Sequence, residues 1–208
     1  MGVGKFYSDV DSHAIGRLGN RMHSISGIAL MSISADDEPD LRRDRGGLEP
    51  DRNRIDLFQA TLPEHIRDVR TLFEEYGQSL GFSLCFQSFE QELQNLPGLY
   101  APPSGRLILA RYRQRAAGCI ALRKLDDKIC EMKRLYVRPE CRGHKLGQSL
   151  VGHLIADARL IGYERMRLDT VASSMAGAVA LYRSLGFHEI PPYSSIPVET
   201  ALWMELVL

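Results

Sequence analysis

The stretch "LYVRPECRGHKLGQSLV", residues 135–151, packs an extended apolar run, a proline, a cluster of positive charge and two glycines into seventeen positions. Three readings suit it: a phosphate cradle at the start of a helix, a basic patch for nucleic acid, or an ordinary strand-to-helix connection. Downstream, Leu146, Leu150, Leu154 and Ala158 recur with Val151 and Ile155 on one face, which predicts a helix over 145–161. Upstream, three strand signals follow in close order: "RLILARY" at 106–112, "AAGCIALRKL" at 116–125 and "KICEMKRLYV" at 128–137, the last running into the quoted stretch. Their short turns, "RQR" and "DD", favour an antiparallel meander. The stretch is therefore read as strand, loop and helix entrance.

Further out, "RIDLFQA" at 54–60 reads as a strand, and Pro63 suits the first turn of a helix. Ile66, Val69, Phe73, Tyr76 and Leu80 then recur at steps of three and four, the mark of an amphipathic helix. A second helix is predicted across "SFEQELQNL", with Ser88 as N-cap and Gln91 three residues on. The loop "PGLYAPPSG", 97–105, carries Tyr100 and is read as a connector ahead of a substrate mouth, because it holds no catalytic group. After the central helix come a strand in "ERMRLDTV", a helix in "SMAGAVALYRSLG" stopped by Gly186, and two strands in "FHEI" and "ALWMELV". This order predicts an α/β (α+β) fold, a mixed and mostly antiparallel central sheet with helices on both faces.

With 208 residues, 44% hydrophobic and 25% charged, the chain matches a soluble globular protein with one main core. Lys+Arg and Asp+Glu balance at 26 each, so no global field draws it to nucleic acid or a membrane surface, and any electrostatic site must be local. The four cysteines form no CxxC pair, which favours a reducing cytoplasm and argues against a metal site. "ISGIALM" at 25–31 is far shorter than the roughly 20 residues of a membrane span and has no signal-peptide layout. The segment "SADDEPDLRRDRGGLEPDRNR" mixes both charge signs with Gly and Pro and offers little to bury. Residues 1–54 are therefore expected to be a disordered extension or linker, and 55–208 the folded domain.

Over residues 55–208 the chain resembles the GNAT family of N-acetyltransferases. The family's acyl-CoA signature, Q/R-x-x-G-x-G/A after a strand, is occupied by Arg142, Gly143, His144, Lys145, Leu146 and Gly147. Independently of the family, consecutive backbone N–H groups entering a helix form an anion nest. Lys145 replaces the signature's middle glycine; it keeps the N–H and adds a charge, and leaves the loop shape open. The second hallmark, L-Y-x-x-x-G-F, is present as Leu181, Tyr182, Arg183, Ser184, Leu185, Gly186 and Phe187.

The resemblance implies a GNAT-like acyl-CoA N-acyltransferase fold with acetyl-CoA as cosubstrate and no metal. It implies that backbone groups around Leu135, Tyr136 and Val137 pair with the pantetheine amides, and that Arg142, Gly143, His144, Lys145, Leu146, Gly147 and Gln148 hold the pyrophosphate. Tyr182 inherits the role of protonating the departing thiolate; alone, it reads as a core aromatic. Glu131 stands where some members carry the group that deprotonates the amine, directly or through water. The alternative is an exposed strand residue, or a partner for Lys133, Arg134 or another cation. Where the family often has an asparagine, seven residues before Tyr182, this chain has Met175, and Ser174 or Thr170 is left to supply a polar contact.

The expected reaction is transfer of the acetyl group to a primary amine, on a small molecule or a peptide, by direct attack. A catalytically degenerate acyl-CoA sensor or scaffold is the alternative. The cluster Lys133, Arg134, Arg138, Arg142 and Lys145 lacks aromatic interleaving or a nucleic-acid motif, and there is neither a Walker loop nor a G-x-G-x-x-G after the first strand. No nucleic-acid or membrane partner is expected. The acceptor pocket is expected from the helix pair, "PGLYAPPSG" and "IPPYSSIPVETALW", and the resemblance allows a homodimer through the C-terminal strands.

Overall fold

The computed structural model describes residues 54–80, 88–173, 175–195 and 200–208. Residues 1–53, and with them the expected disordered extension, lie outside that set, as do Ser174 and part of "IPPYSSIPVETALW". The described residues form a seven-stranded sheet in the order β1-β2-β3-β4-β5-β7-β6. The strands are β1 Ile55–Gln59, β2 Arg106–Tyr112, β3 Arg115–Lys124, β4 Ile129–Val137, β5 Arg165–Val171, β6 His188–Ile190 and β7 Ala201–Val207. The helices are α1 Pro63–Ser79, α2 Phe89–Gln94, α3 Leu146–Ile161 and α4 Ala176–Ser184. All neighbouring strands are antiparallel except β4 and β5, which run parallel. The mixed, mostly antiparallel sheet read from the sequence is the one observed.

Both faces of the sheet are buried, which is why "RLILARY" reads as a continuous apolar run rather than an alternation. In β2, Ile108 and Ala110 point into a core shared with α3 and α4, while Leu107 and Leu109 point into a second core under α1. The apolar stripe of α3 is buried at every position that its periodicity marks: Leu146, Leu150, Val151, Leu154, Ile155 and Ala158. Fully burying a side chain of that kind contributes about 1.5–3 kcal/mol, so α3 is fastened by packing rather than by capping. On α1, Val69, Leu72 and Phe73 are buried and Ile66 and Tyr76 pack beside them.

One local expectation is corrected. Ser88 does precede α2, but at φ 54°, and its side chain makes no capping bond. In that left-handed conformation the hydroxyl is not aimed along the helix axis, so the capping box with Gln91 does not form. Tyr100 is buried, and its hydroxyl donates to Glu92 Oε1 at 2.7 Å, so the proline-rich loop docks onto α2. Among the described residues no helix is long and apolar enough to cross a membrane.

Candidate active site

Strands β4 and β5 pair only from Ile129 opposite Arg165 to Glu131 opposite Arg167. Beyond that point β4 continues to Val137 and β5 to Val171 without bonding each other, so the sheet forks and leaves strand edges with unspent backbone groups. A cleft of about 790 Å³ lies along the freed part of β4, lined there by Leu135, Tyr136 and Val137. Its other walls are Tyr76 of α1, Met175, Ala178 and Leu181 around α4, and Arg142, Gly143, Lys145, Leu146 and Gly147.

The loop into α3 explains the basic, glycine-containing motif. Gly143 has φ 83° and Lys145 φ 61°, and α3 starts at the next residue. The first ladder bond runs from the Ser149 N–H to the Lys145 carbonyl at 2.9 Å. The N–H groups of Leu146, Gly147 and Gln148 therefore lack intrahelical acceptors, and Lys145 supplies no side-chain cap. Uncapped donors at the positive end of a helix dipole are suited to an anion. The loop shape left open by the sequence is thus kept by lysine itself in the left-handed conformation, at a strain of about 1–2 kcal/mol. Two of the expected cofactor-binding residues do not line the cleft with their side chains. His144 stacks on Tyr112 with centroids 4.7 Å apart, its Nδ1 near the Cys141 and Arg142 carbonyls, and Gln148 is exposed.

A bulge in β4 sets what faces the cleft. Cys119 pairs with Tyr136 and Ala121 with Lys133, so Arg134 and Leu135 together oppose Ile120, and Arg134 takes φ 58°. The extra residue reverses the alternation. Met132 and, after the bulge, Leu135 and Val137 lie on the α3 side, whereas Tyr136 packs under α1. The strained arginine is held in place: its Nε donates to Glu92 Oε1 at 2.9 Å and its Nη2 to Oε2 at 2.5 Å, and it lies 5.0 Å over the Phe89 ring. Tyr100 binds the same carboxylate, so the connector loop and α2 buttress the bulge.

The motif around Tyr182 is a helix stop with a packing contact built in. Gly186, at φ 94°, donates its N–H to the Arg183 carbonyl, and Phe187 donates to the Tyr182 carbonyl, each at 3.1 Å. These two bonds form a Schellman motif, whose accompanying apolar contact is Tyr182 against Phe187, centroids 5.8 Å apart. Tyr182 is buried and does not line the cleft, whose wall from α4 is Ala178 and Leu181, and its hydroxyl makes no hydrogen bond among the described residues. Burial, reinforced by Tyr76 and Asp169, pushes its phenol well above the ordinary value, so it keeps its proton. Thr170 donates to the Met175 sulfur at 3.5 Å, and Ser174, the other candidate for a polar contact, lies outside the described residues.

Glu131 sits at the fork and is 1% exposed, so it is not an exposed strand residue, but it does partner a cation as the alternative reading allowed. Arg123 Nε donates to its Oε2 at 2.6 Å, the Tyr193 hydroxyl donates to its Oε1 at 2.9 Å, and Lys133 Nζ lies 3.8 Å away. Lys133 also donates to Asp169 Oδ1 at 2.8 Å. Arg123, Tyr193, Asp169 and Glu92 are absent from the sequence-derived site. Their placement depends on packing between segments distant in sequence, for which no short motif exists.

A model of the acetyltransferase (GNAT) family matches residues 66–187. An uncharacterised N-acetyltransferase of Schizosaccharomyces pombe is 40% identical over 156 residues, 74% of this chain and 95% of the relative. A crystal structure of an acetyltransferase from Streptococcus agalactiae shares 21% identity with a TM-score of 0.61, covering 74% of this chain and 98% of that one. The PaiA N-acetyltransferase from Thermoplasma acidophilum, solved in complex with coenzyme A, gives a TM-score of 0.58 at 17% identity, covering 74% and 99%. At such identities the likeness to the solved structures is one of fold.

Proposed function

This chain belongs to the acetyltransferase (GNAT) family, and from that premise we propose that it transfers the acetyl group of acetyl-CoA to a primary amine of a small molecule or peptide by direct attack. One observation carries the reading: the freed edge of β4 and the uncapped N-terminus of α3 open onto the same cleft. An extended amide chain ending in a pyrophosphate needs that pair of features, as an added strand needs an edge and an anion needs unspent N–H donors. Coenzyme A, the nucleotide thiol held in the PaiA structure, supports that class of ligand.

The residues divide the work as follows. Leu135, Tyr136 and Val137 offer backbone groups to the pantetheine arm, and Gly143, Lys145, Leu146, Gly147 and Gln148 offer N–H groups to the pyrophosphate. Arg142 and the Lys145 ammonium add charge. The backbone N–H beside the bulge at Leu135 stabilises negative charge on the thioester oxygen while the amine nitrogen bonds to the carbonyl carbon. As the C–S bond breaks, Tyr182 gives its proton to the sulfur.

Glu131 takes the proton the amine must lose. Four residues of β4, roughly 13 Å of strand, separate it from Leu135, so the proton travels through water and the Tyr193 hydroxyl, which already donates to Glu131. The test is calorimetric titration of the full chain with acetyl-CoA, CoA and ATP, followed by thiol release with an amine panel. Selective micromolar binding of the two CoA species with amine-dependent thiol release supports transfer. Binding without release from any amine would leave an acyl-CoA sensor, and no binding would overturn the reading.

A further inference from the structure

Beside the cleft, one face of the sheet carries a row of alternating charge. Arg123 is opposite Glu131, Glu131 opposite Arg167, and Arg167 opposite Glu205, so four strands present these side chains on the same face. The acids are sunk and the bases are not. Side-chain exposure is 1% for Glu131 and 6% for Glu205, against 35% for Arg123 and 25% for Arg167.

Tyr193 closes the group. Its hydroxyl donates to Glu131, and the Arg167 guanidinium lies 5.3 Å over its ring. Each arginine spends only Nε on its carboxylate, Arg123 on Glu131 at 2.6 Å and Arg167 on Glu205 at 2.8 Å. Their terminal nitrogens make no other hydrogen bond among the described residues. Around the row, Arg123, Lys133, Arg134, Arg165 and Arg167 face Glu92, Glu131, Asp169 and Glu205, five cations to four anions. An amine arriving as an ammonium gains nothing from such a surface. A carboxylate gains planar, charge-assisted donors in the geometry that guanidinium groups provide.

We propose that the acceptor is an amine that also carries a carboxylate, and that Arg123 and Arg167 bind that carboxylate beside Tyr193. The proposal rests on the transferase reading and narrows its substrate class to amino-carboxylates. Arg123 thereby has two functions: it fixes Glu131 through Nε and offers its outer nitrogens to the acceptor.

The test uses the full chain with saturating acetyl-CoA and matched acceptors: L-amino acids, β-alanine and 6-aminohexanoate, each against its carboxamide, with spermidine as a carboxylate-free polyamine. The expected result is a preference of at least about tenfold in kcat/KM for carboxylate members. In Arg123→Gln and Arg167→Gln that ratio falls toward one, chiefly through KM, while the acetyl-CoA Kd, measured on the same samples, shows that each variant is folded. Carboxamides or spermidine used as well as the acids would overturn the proposal, leaving the arginines as structural counter-ions. So would a protein that binds acetyl-CoA and acetylates none of the carboxylate-bearing amines. Failure to bind acetyl-CoA is distinguishable from both, because it removes the transferase reading itself.

Discussion

Glu131 and Arg167 form the last cross-strand pair between β4 and β5, and the sheet opens immediately beyond them. A buried carboxylate at the apex of the fork, gripped by Arg123 and Tyr193, sits on the strand that continues into the cleft. Glu131→Gln keeps the shape and removes the charge. Turnover is expected to fall by about 100-fold, with acetyl-CoA affinity retained. A variant that kept full turnover would show that another group takes the proton.

Lys145 enters α3 at φ 61°, where a residue with a Cβ is strained. Lys145→Gly should therefore raise unfolding stability by about 1 kcal/mol. The same change removes the ammonium beside the uncapped start of α3, so on the proposed function acetyl-CoA binding should weaken about threefold to tenfold and become less sensitive to salt. Urea denaturation and calorimetry at two ionic strengths read the two effects separately. Unchanged affinity would take Lys145 out of phosphate binding.

Tyr182→Phe separates packing from chemistry, because the ring stays against Phe187 and the hydroxyl forfeits no hydrogen bond among the described residues. Stability should shift by less than about 1 kcal/mol, acetyl-CoA affinity should hold, and kcat should drop about 100-fold. An undiminished kcat would reduce Tyr182 to a core aromatic.

What the sequence discloses is what local physics writes. The six apolar positions of α3 follow a period of 3.6, the β2–β4 meander is announced by its short turns, and Gly186 with Phe187 spells a helix stop within six residues of Leu181. The loop at 142–147 is legible for the same reason, since glycine and charge before an apolar stripe mark an uncapped helix start. Ser88 is misread because a serine before Glu90 and Gln91 looks like a cap in any backbone conformation, and φ 54° is invisible in the letters. The bulge at Arg134 is silent too: nothing in "EMKRLY" says which residue will be doubled. The group of Arg123, Glu131, Arg167 and Tyr193 comes together only through strand register, across 62 residues for the bond from Tyr193 to Glu131.

The bulge has a dependence that can be measured. Arg134 has a side-chain exposure of 3%, and Glu92 is its carboxylate partner through two bonds. Glu92→Ala takes two charge-assisted bonds from a buried guanidinium and should destabilise the fold by about 3–5 kcal/mol. Tyr100→Phe, which removes one neutral donor from the same carboxylate, should cost about 1 kcal/mol. Urea unfolding midpoints for both variants test the ranking, and equal losses would mean that Glu92 is not what holds Arg134.

Alkaline pH should unfold this protein through its tyrosines. Burial, as the largest cause, raises the phenols of Tyr76, Tyr100, Tyr182 and Tyr193 above the ordinary value of 10.0, with Glu92 adding to the effect at Tyr100 and Glu131 at Tyr193. Above pH 10 the unfolded chain loses protons that the folded chain keeps, so the unfolded state binds fewer protons and stability falls as pH rises. The stabilisation is complete below pH 10 and is lost at roughly 1.4 kcal/mol per pH unit for each such tyrosine. Urea unfolding between about pH 9 and pH 11.5, with tyrosinate absorbance followed in parallel, should show ionisation of these groups only as the chain unfolds. Tyr182→Phe should flatten the slope by one tyrosine's share; an unaltered slope would mean that the Tyr182 phenol ionises in the folded protein as it does in water.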